Sequence, residues 1–330
     1  MDRNAAITGV GHFAPEKVLT NHDLEKMVDT SDEWIRTRTG IRERRILENG
    51  KGSSFMGGKA VEMILKEKNI DPEEIDMIVV ATVTPDMMFP NTACLIQEQI
   101  GAKNAWAMDV NGACTGYIYA LATAAQFVES GKYKKVLVIG SDKMTAITDY
   151  TDRNNCVLFG DAAAAVLLEP VEDDQYGILD FILKSNGKGK DQLYMLGGGS
   201  LNPASHETVD KKMHYLYQDG RSVFKFAVVG MADIAEEILV KNNLTGEDIA
   251  YFIPHQANFR IIDAAAKRLK LDSSKVVVNI DRYGNTTAAT IPLGLSEVYH
   301  NNGLKKGDYI LMSAFGAGFT WGSLLLRWAI

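Results

Sequence analysis

The chain has 330 residues, is 46% hydrophobic and 23% charged, and carries a formal net charge of −7. This is a globular composition with enough chain for a large core in one domain or two, and its acidity argues against nucleic acid as the main partner. No apolar run reaches the ~18–20 residues that cross a bilayer, and no charged leader with an apolar stretch opens the chain, so neither membrane insertion nor secretion is expected.

In chain order, apolar positions recur at helical spacing over Gly57–Glu67 and Gly116–Ser130, and again over Val223–Asn242 and Phe259–Leu269. Between them lie runs that read as buried strands: Trp106–Val110, Lys134–Gly140, Ala162–Leu168, Ile249–Ile253 and Asp308–Ser313. Asn69–Val80 and Asn243–Pro254 each run from a helix end through an acidic turn into a strand, and they align without a gap. Trp106–Val110 resembles Val277–Asp281, and Lys134–Gly140 resembles Asp308–Ser313. The order of elements is the same in both halves. The expectation is a duplicated α/β chain with mostly parallel, covered sheets. The polar segment Glu169–Gln175 marks the boundary, giving halves 1–172 and 173–330.

Three cysteines, Cys94, Cys114 and Cys156, form no Cys-x-x-Cys pair, which excludes zinc ribbons and dithiol redox motifs and suits a reducing cytoplasm. Only Cys114 stands at a strand-to-helix turn. Among Gly112, Ala113 and Gly116 its sulfur is expected to lie uncovered, and the helix N-terminus is expected to favour the thiolate. His255 follows the strand Ile249–Ile253, and Asn285 lies in Tyr283-Gly-Asn-Thr286. All three are expected at C-terminal ends of strands, where open α/β sheets bind ligands.

Five stretches together carry a resemblance: Thr30–Arg44, the Gly-Ala-Cys114-Thr-Gly turn, Pro254–Ile261, Tyr283–Thr286 and Phe315–Gly322. In order and from first strand to last, the chain resembles β-ketoacyl-acyl-carrier-protein synthase III. The resemblance implies the thiolase fold, two duplicated halves in five layers (α-β-α-β-α), as a homodimer. It implies decarboxylative Claisen condensation of an acyl-CoA with malonyl-acyl-carrier protein, through an acyl group carried on Cys114. His255 Nε2 and the Asn285 amide would donate to the enolate oxygen, and the backbone N–H groups of Cys114 and Ala317 would form the oxyanion hole. The family has Gly-Gly-Gly where this chain has Gly316-Ala317-Gly318; Ala317 keeps its N–H and is unstrained only at negative φ.

The same resemblance places Trp34 and Arg153 on either side of the CoA adenine, with Arg38 and Thr30 at the nucleotide and Asn258 at the pantetheine arm. It puts Met144 and Phe159 in the acyl pocket wall and sends Phe89 into the pocket of a partner subunit. Lys225, Arg260, Lys267 and Arg268 match basic positions that dock an acidic carrier protein. Residues 190–220 match the family least; they either shape the acyl pocket or form a surface loop. No metal or other cofactor is expected, because loss of the malonyl carboxylate supplies the carbanion. Sister families fit less well: there is no second, C-terminal cysteine as in thiolases, and Val80–Thr84 lacks the glutamate of hydroxymethylglutaryl-CoA synthases. The Cys, His, Asn order also occurs in papain-like proteases, whose flanking signature is missing here.

Overall fold

The computed structural model of the chain describes residues 4–330. Five strands, β1 (Asn4–Phe13), β2 (Met77–Ala81), β3 (Trp106–Val110), β4 (Val136–Lys143) and β5 (Asp161–Val171), form one sheet in the order β1-β5-β4-β2-β3. Its β4-β2 and β2-β3 pairs are parallel, and its β1-β5 and β5-β4 pairs antiparallel. A second sheet holds β6 (Gly177–Ser185), β7 (Ile249–Pro254), β8 (Tyr309–Gly316) and β9 (Thr320–Arg327) in the order β6-β9-β8-β7. Only its β7-β8 pair is parallel, so the two sheets hold three parallel and four antiparallel pairs and are not mostly parallel as expected, because the last strand of each half enters antiparallel between its neighbours. In each half the first strand pairs with the last, the last with the one before it, and that one with the second. The duplication expected from the sequence is therefore written in the topology.

The third strand of the second half is missing. Val277–Asp281 was expected to match β3, yet only Val276 makes an isolated parallel bridge, to Phe252, and Ile280–Tyr283 is a short helix. The buried side chain of Gln256 replaces the ladder. Its Nε2 donates to Val277 O at 3.0 Å, and its Oε1 accepts the N–H groups of Asn279 and Ile280 at 3.1 and 3.2 Å. An amide that satisfies this backbone removes the need for sheet pairing.

Helices fill three layers. Outside the first sheet lie α2 (Ser53–Lys68) and α3 (Thr92–Ile100); outside the second lie α5 (Gly220–Lys241) and α6 (Phe259–Arg268). Between the sheets run α4 (Gly116–Glu129) and α7 (Thr290–His300). A short helix, α1 (Asp32–Thr39), carries Trp34. The strands alternate as a two-faced sheet requires. Met77, Val79 and Ala81 face the middle layer with α4, while Ile78 and Val80 face α2. Likewise Ile310, Met312 and Ala314 point inward, and Leu311 and Phe315 point toward α5. Helix α4 is sandwiched between sheets and is correspondingly apolar on most of its circumference: Tyr117, Ile118, Leu121, Ala124, Ala125 and Val128 are all fully buried.

Residues 190–220 fold rather than trail. Leu193–Met195 and Leu216–Gln218 make a two-stranded antiparallel ribbon, and His206–Asp210 is a short helix capped by Ser205. Among the described residues no helix is long and apolar enough to cross a membrane.

Candidate active site

The nucleophile candidate sits on a tight elbow. Strand β3 ends at Val110, Ala113–Thr115 makes one 3-10 turn, and α4 begins at Gly116. Ala113 adopts φ 48°, a left-handed position that costs a side chain ~1–2 kcal/mol. The turn between β8 and β9 holds the elbow from the other half of the chain. Thr115 Oγ1 donates to Thr320 O at 3.1 Å, and Thr320 Oγ1 lies 3.1 Å from Gly112 O and 3.0 Å from Ala317 O. Gly316 lies so close that a Cβ there would stand 2.8 Å from Cys114 N. This contact brings Ala317 beside Cys114. The left-handed position in the β8–β9 turn falls on Gly318 (φ 137°), not on Ala317, so the alanine in place of the family's glycine carries no strain.

His255 caps β7, its N–H donating to Ser313 O of β8 at 2.8 Å. Its Nδ1 lies 2.7 Å from Thr290 Oγ1, the first residue of α7, and its buried Nε2 has no partner among the described residues. Asn285 does not end a strand, contrary to expectation. It follows the Ile280–Tyr283 helix and is pinned to the first half instead: its N–H donates to Leu158 O at 2.8 Å and its C=O accepts Gly160 N–H at 3.1 Å. The Asn285 Oδ1 accepts Thr287 N–H at 2.9 Å. That bond fixes the amide orientation and leaves the Nδ2 donors for the cavity.

Cys114, His255 and Asn285 all line one cavity of about 1030 Å³. The expected thiolate is not the resting state. Cys114 is 9% exposed, and burial pushes its thiol up to about 12, with the carboxyl of Asp142 pushing the same way. The net rise, burial and Asp142 together, is worth ~4 kcal/mol, against ~2 kcal/mol at most from the N-terminus of α4. Burial likewise drives His255 down to about 3, so its imidazole is neutral.

The comparisons with known proteins agree along the whole chain. Residues 108–187 match the family described as 3-oxoacyl-[acyl-carrier-protein] synthase III, and residues 239–328 match its C-terminal counterpart. The beta-ketoacyl-[acyl-carrier-protein] synthase III of Chlorobium chlorochromatii is 58% identical over 98% of this chain and 99% of its own. The chain belongs to the 3-oxoacyl-[acyl-carrier-protein] synthase III family. The crystal structure of the synthase III from Aquifex aeolicus is 45% identical and superimposes with a TM-score of 0.90, covering 98% of this chain and 100% of that one. The synthase III from Thermus thermophilus gives 43% identity and a TM-score of 0.91, over 98% and 99% of the two chains.

Trp34, Asn258, Met144, Phe159 and Ala317 line the cavity; Thr30, Arg38 and Arg153 do not. The Trp34–Arg153 sandwich is closed: the guanidinium carbon lies 4.8 Å from the indole centroid. A base stacked on both faces needs about 7 Å, so the pair must part to admit one. Arg38 also approaches Trp34, at 5.8 Å. Asn258 is occupied in the fold, capping α6 through Arg260 N–H (2.9 Å) and donating to Arg38 O (3.0 Å). Thr30 Oγ1 is buried without a partner among the described residues.

Phe89 is 85% exposed and lies outside this chain's own cavity. Lys225, Arg260, Lys267 and Arg268 are all exposed. Lys267 pairs with Asp263 at 2.7 Å, and Arg268 with Glu236 at 2.8 Å and Asp233 at 3.3 Å. Arg260 instead stacks over Phe224 at 4.9 Å, and neither it nor Lys225 has an ion pair among the described residues.

Sequence reasoning missed several contributors. Tyr194 and Tyr217, their ring centroids 4.9 Å apart and tilted by 31°, and Arg221 line the cavity. The tyrosines come from the 190–220 segment, and of its two expected roles it is the pocket-wall one that this lining fits, although no local pattern singled out these residues; Arg221 comes from the start of α5. Asp142 and Thr290 were also missed; each sits in an ordinary strand or helix sequence and acquires meaning only from what packs against it.

Proposed function

We propose that this chain condenses an acyl-CoA primer with malonyl-acyl-carrier protein, giving a β-ketoacyl-carrier protein, CoA and carbon dioxide, and so starts fatty-acid synthesis. Cys114 Sγ attacks the acyl-CoA carbonyl carbon. The C–S bond to CoA breaks, and the proton released from Cys114 leaves on the CoA thiol. Malonyl-carrier protein then enters and its carboxylate departs as carbon dioxide. The electron pair passes into an enolate whose oxygen accepts hydrogen bonds from His255 Nε2 and Asn285 Nδ2. The enolate carbon attacks the acyl-Cys114 carbonyl, whose oxyanion is held by the N–H groups of Cys114 and Ala317. Collapse breaks the C–S bond and releases Cys114 as a thiolate, which takes one proton from solvent to restore the thiol. With that proton the balance is closed, and no electron is gained or lost.

One observation carries this reading above the others. Asn285 commits its Oδ1 to Thr287 N–H, and His255 leaves Nε2 without a partner, so two nitrogen edges face the cavity that holds Cys114. In the same reading Trp34, Arg153, Arg38, Thr30 and Asn258 receive CoA, and Lys225, Arg260, Lys267 and Arg268 receive the carrier protein. The working form is a cytoplasmic homodimer in which Phe89 reaches the partner's acyl pocket. Its exposure, with Met88 beside it 76% exposed, supports a covered interface there. The division at 172/173 into a nucleophile half and a His/Asn half rests on the shared strand order.

The test is intact-protein mass spectrometry after incubation with a panel of acyl-CoAs, followed by malonyl-carrier protein. An acyl adduct on Cys114 that disappears as β-ketoacyl-carrier protein forms is the expected result. No adduct with any primer, or an adduct cleared by water alone, overturns the reading.

A further inference from the structure

His255 is neutral and carries one ring proton, so its two nitrogens cannot both donate. Which nitrogen holds the proton is decided by the group opposite Nδ1. Here that group is not a carboxylate or a backbone carbonyl, either of which would fix the tautomer by accepting only. It is the hydroxyl of Thr290, 2.7 Å away and fully buried, a group that can donate or accept.

The Thr290 hydroxyl has a second neighbour, Thr287 O, at 3.0 Å. Its single proton has two possible acceptors. If it goes to Thr287 O, the hydroxyl oxygen accepts from His255 Nδ1–H, and Nε2 presents a bare lone pair to the cavity. If it goes to Nδ1, the ring proton sits on Nε2, which then donates. Thr287 O does not depend on the hydroxyl, because the N–H of Thr290 already donates to it. Turning the hydroxyl toward His255 therefore leaves no carbonyl orphaned.

We propose that Thr290 is the positioning residue that sets the His255 tautomer, donating its hydroxyl proton to Nδ1 so that Nε2–H can hold the enolate oxygen in the condensation half-reaction. Passing from one tautomer to the other breaks the Nδ1–H bond and forms the Nε2–H bond by proton exchange with solvent, while the Thr290 hydroxyl turns from Thr287 O to Nδ1; there is no net gain or loss of protons, and the hydroxyl acts by favouring one side of that equilibrium. The inference deepens the condensing-enzyme reading and rests on it. It also explains why the position opens α7 with a hydroxyl amid the apolar Ala289, Ile291 and Leu293: a valine of the same shape fits the packing but removes the only proton that can reach Nδ1.

The test uses the full-length protein as Thr290→Val and Thr290→Ser. Thr290→Val is expected to self-acylate from acyl-CoA within about threefold of the unaltered protein and to lose about 100-fold in kcat for condensation, the scale of one lost transition-state donor, with KM for malonyl-carrier protein little changed. Thr290→Ser restores the hydroxyl and is expected to recover condensation to within about threefold. An activity-independent readout accompanies it: 15N NMR of histidine-labelled protein should show His255 protonated on Nε2, and that population should shift in Thr290→Val but not in Thr290→Ser. Condensation by Thr290→Val at the original rate overturns the proposal, as does equal loss in both half-reactions without rescue by serine, or a His255 protonated on Nδ1 in the acyl-enzyme. Absence of any acyl adduct in the unaltered protein would instead strike the condensing-enzyme reading, leaving the NMR result to judge the tautomer separately.

Discussion

Ala113 and Thr287 share one backbone conformation, φ 48° and 53°, and each opens a single 3-10 turn that leads straight into a middle-layer helix. They are equivalent positions of the duplicated halves, so Cys114 of the first elbow corresponds to Ala288 of the second. Each elbow is gripped by the other half: a Cβ at Gly316 would stand 2.8 Å from Cys114 N, and a Cβ at Gly140 would stand 2.3 Å from Ala288 O. At the second elbow the N–H of Ala288 is not left for a substrate. It donates to Asp142 Oδ2 at 3.1 Å. One elbow keeps a nucleophile beside its N–H; the other has its N–H closed by a resident carboxylate and supplies Asn285 instead.

The grip at Gly316 makes it sensitive. Gly316→Ala puts a methyl group against backbone that cannot swing aside, displacing the Cys114 N–H from its aim. We expect acyl-Cys114 formation to slow by about 100-fold, while thermal melting shows a folded protein. Time-resolved mass spectrometry of the adduct checks this, and adduct formation at the unaltered rate would contradict the geometry.

The buried thiol sets a pH dependence. Burial holds Cys114 at about 12, so the thiolate fraction of the free protein rises about tenfold per pH unit well below that value. Alkylation of the Cys114 peptide by iodoacetamide should therefore climb without a plateau from pH 7 to 9.5. A plateau near neutrality would mean a stabilised thiolate.

Asp142 should shape stability at acid pH. Its Oδ1 accepts from the hydroxyls of Thr82 and Thr84 and the N–H of Val83, and Oδ2 from Ala288 N–H. Burial nevertheless raises it to about 6 from an ordinary 3.8. The folded-state value lies above the unfolded one, so the contribution is fully present below about 3.8 and is lost as pH rises through about 6; its size is ~3 kcal/mol. Asp142→Asn removes this term and turns an amide N–H toward Ala288 N–H. Urea unfolding from pH 4 to 7.5 should show the advantage of the unaltered protein over Asp142→Asn largest at the acid end. A constant difference across that range would refute the assignment.

Trp34, half-buried and lining the cavity, forms a closed cation–π pair with Arg153. Trp34→Ala should raise KM for acyl-CoA by about tenfold, the worth of one stacking contact, and leave kinetics in malonyl-carrier protein within about twofold. Steady-state assays with each substrate varied in turn check this; equal effects on both substrates would remove Trp34 from the CoA site.

Much of this was legible in the sequence because it is local. Strand and helix periodicity, the duplicated order, and a cysteine between small residues at a strand-to-helix turn depend on neighbours a few positions away, and the elements stand where those patterns put them. Asn285 was legible as a residue but not in its placement: the strand expected before it is absent because Gln256, more than twenty positions earlier, satisfies that backbone. The thiolate expected from the helix end was reversed by burial. Dehydration depends on every element packed around the sulfur, and no local window contains it. The link from Asp142 to Ala288 joins strand β4 to an elbow 146 positions later, and the Thr290 hydroxyl faces a histidine 35 positions before it. The sequence by itself determined the chemical groups and the order of the elements. Which nitrogen faces the cavity, which thiol is dry and which N–H is already taken were decided only by the tertiary structure, because hydrogen-bond partners and dehydration belong to contacts in space rather than to spacing along the chain.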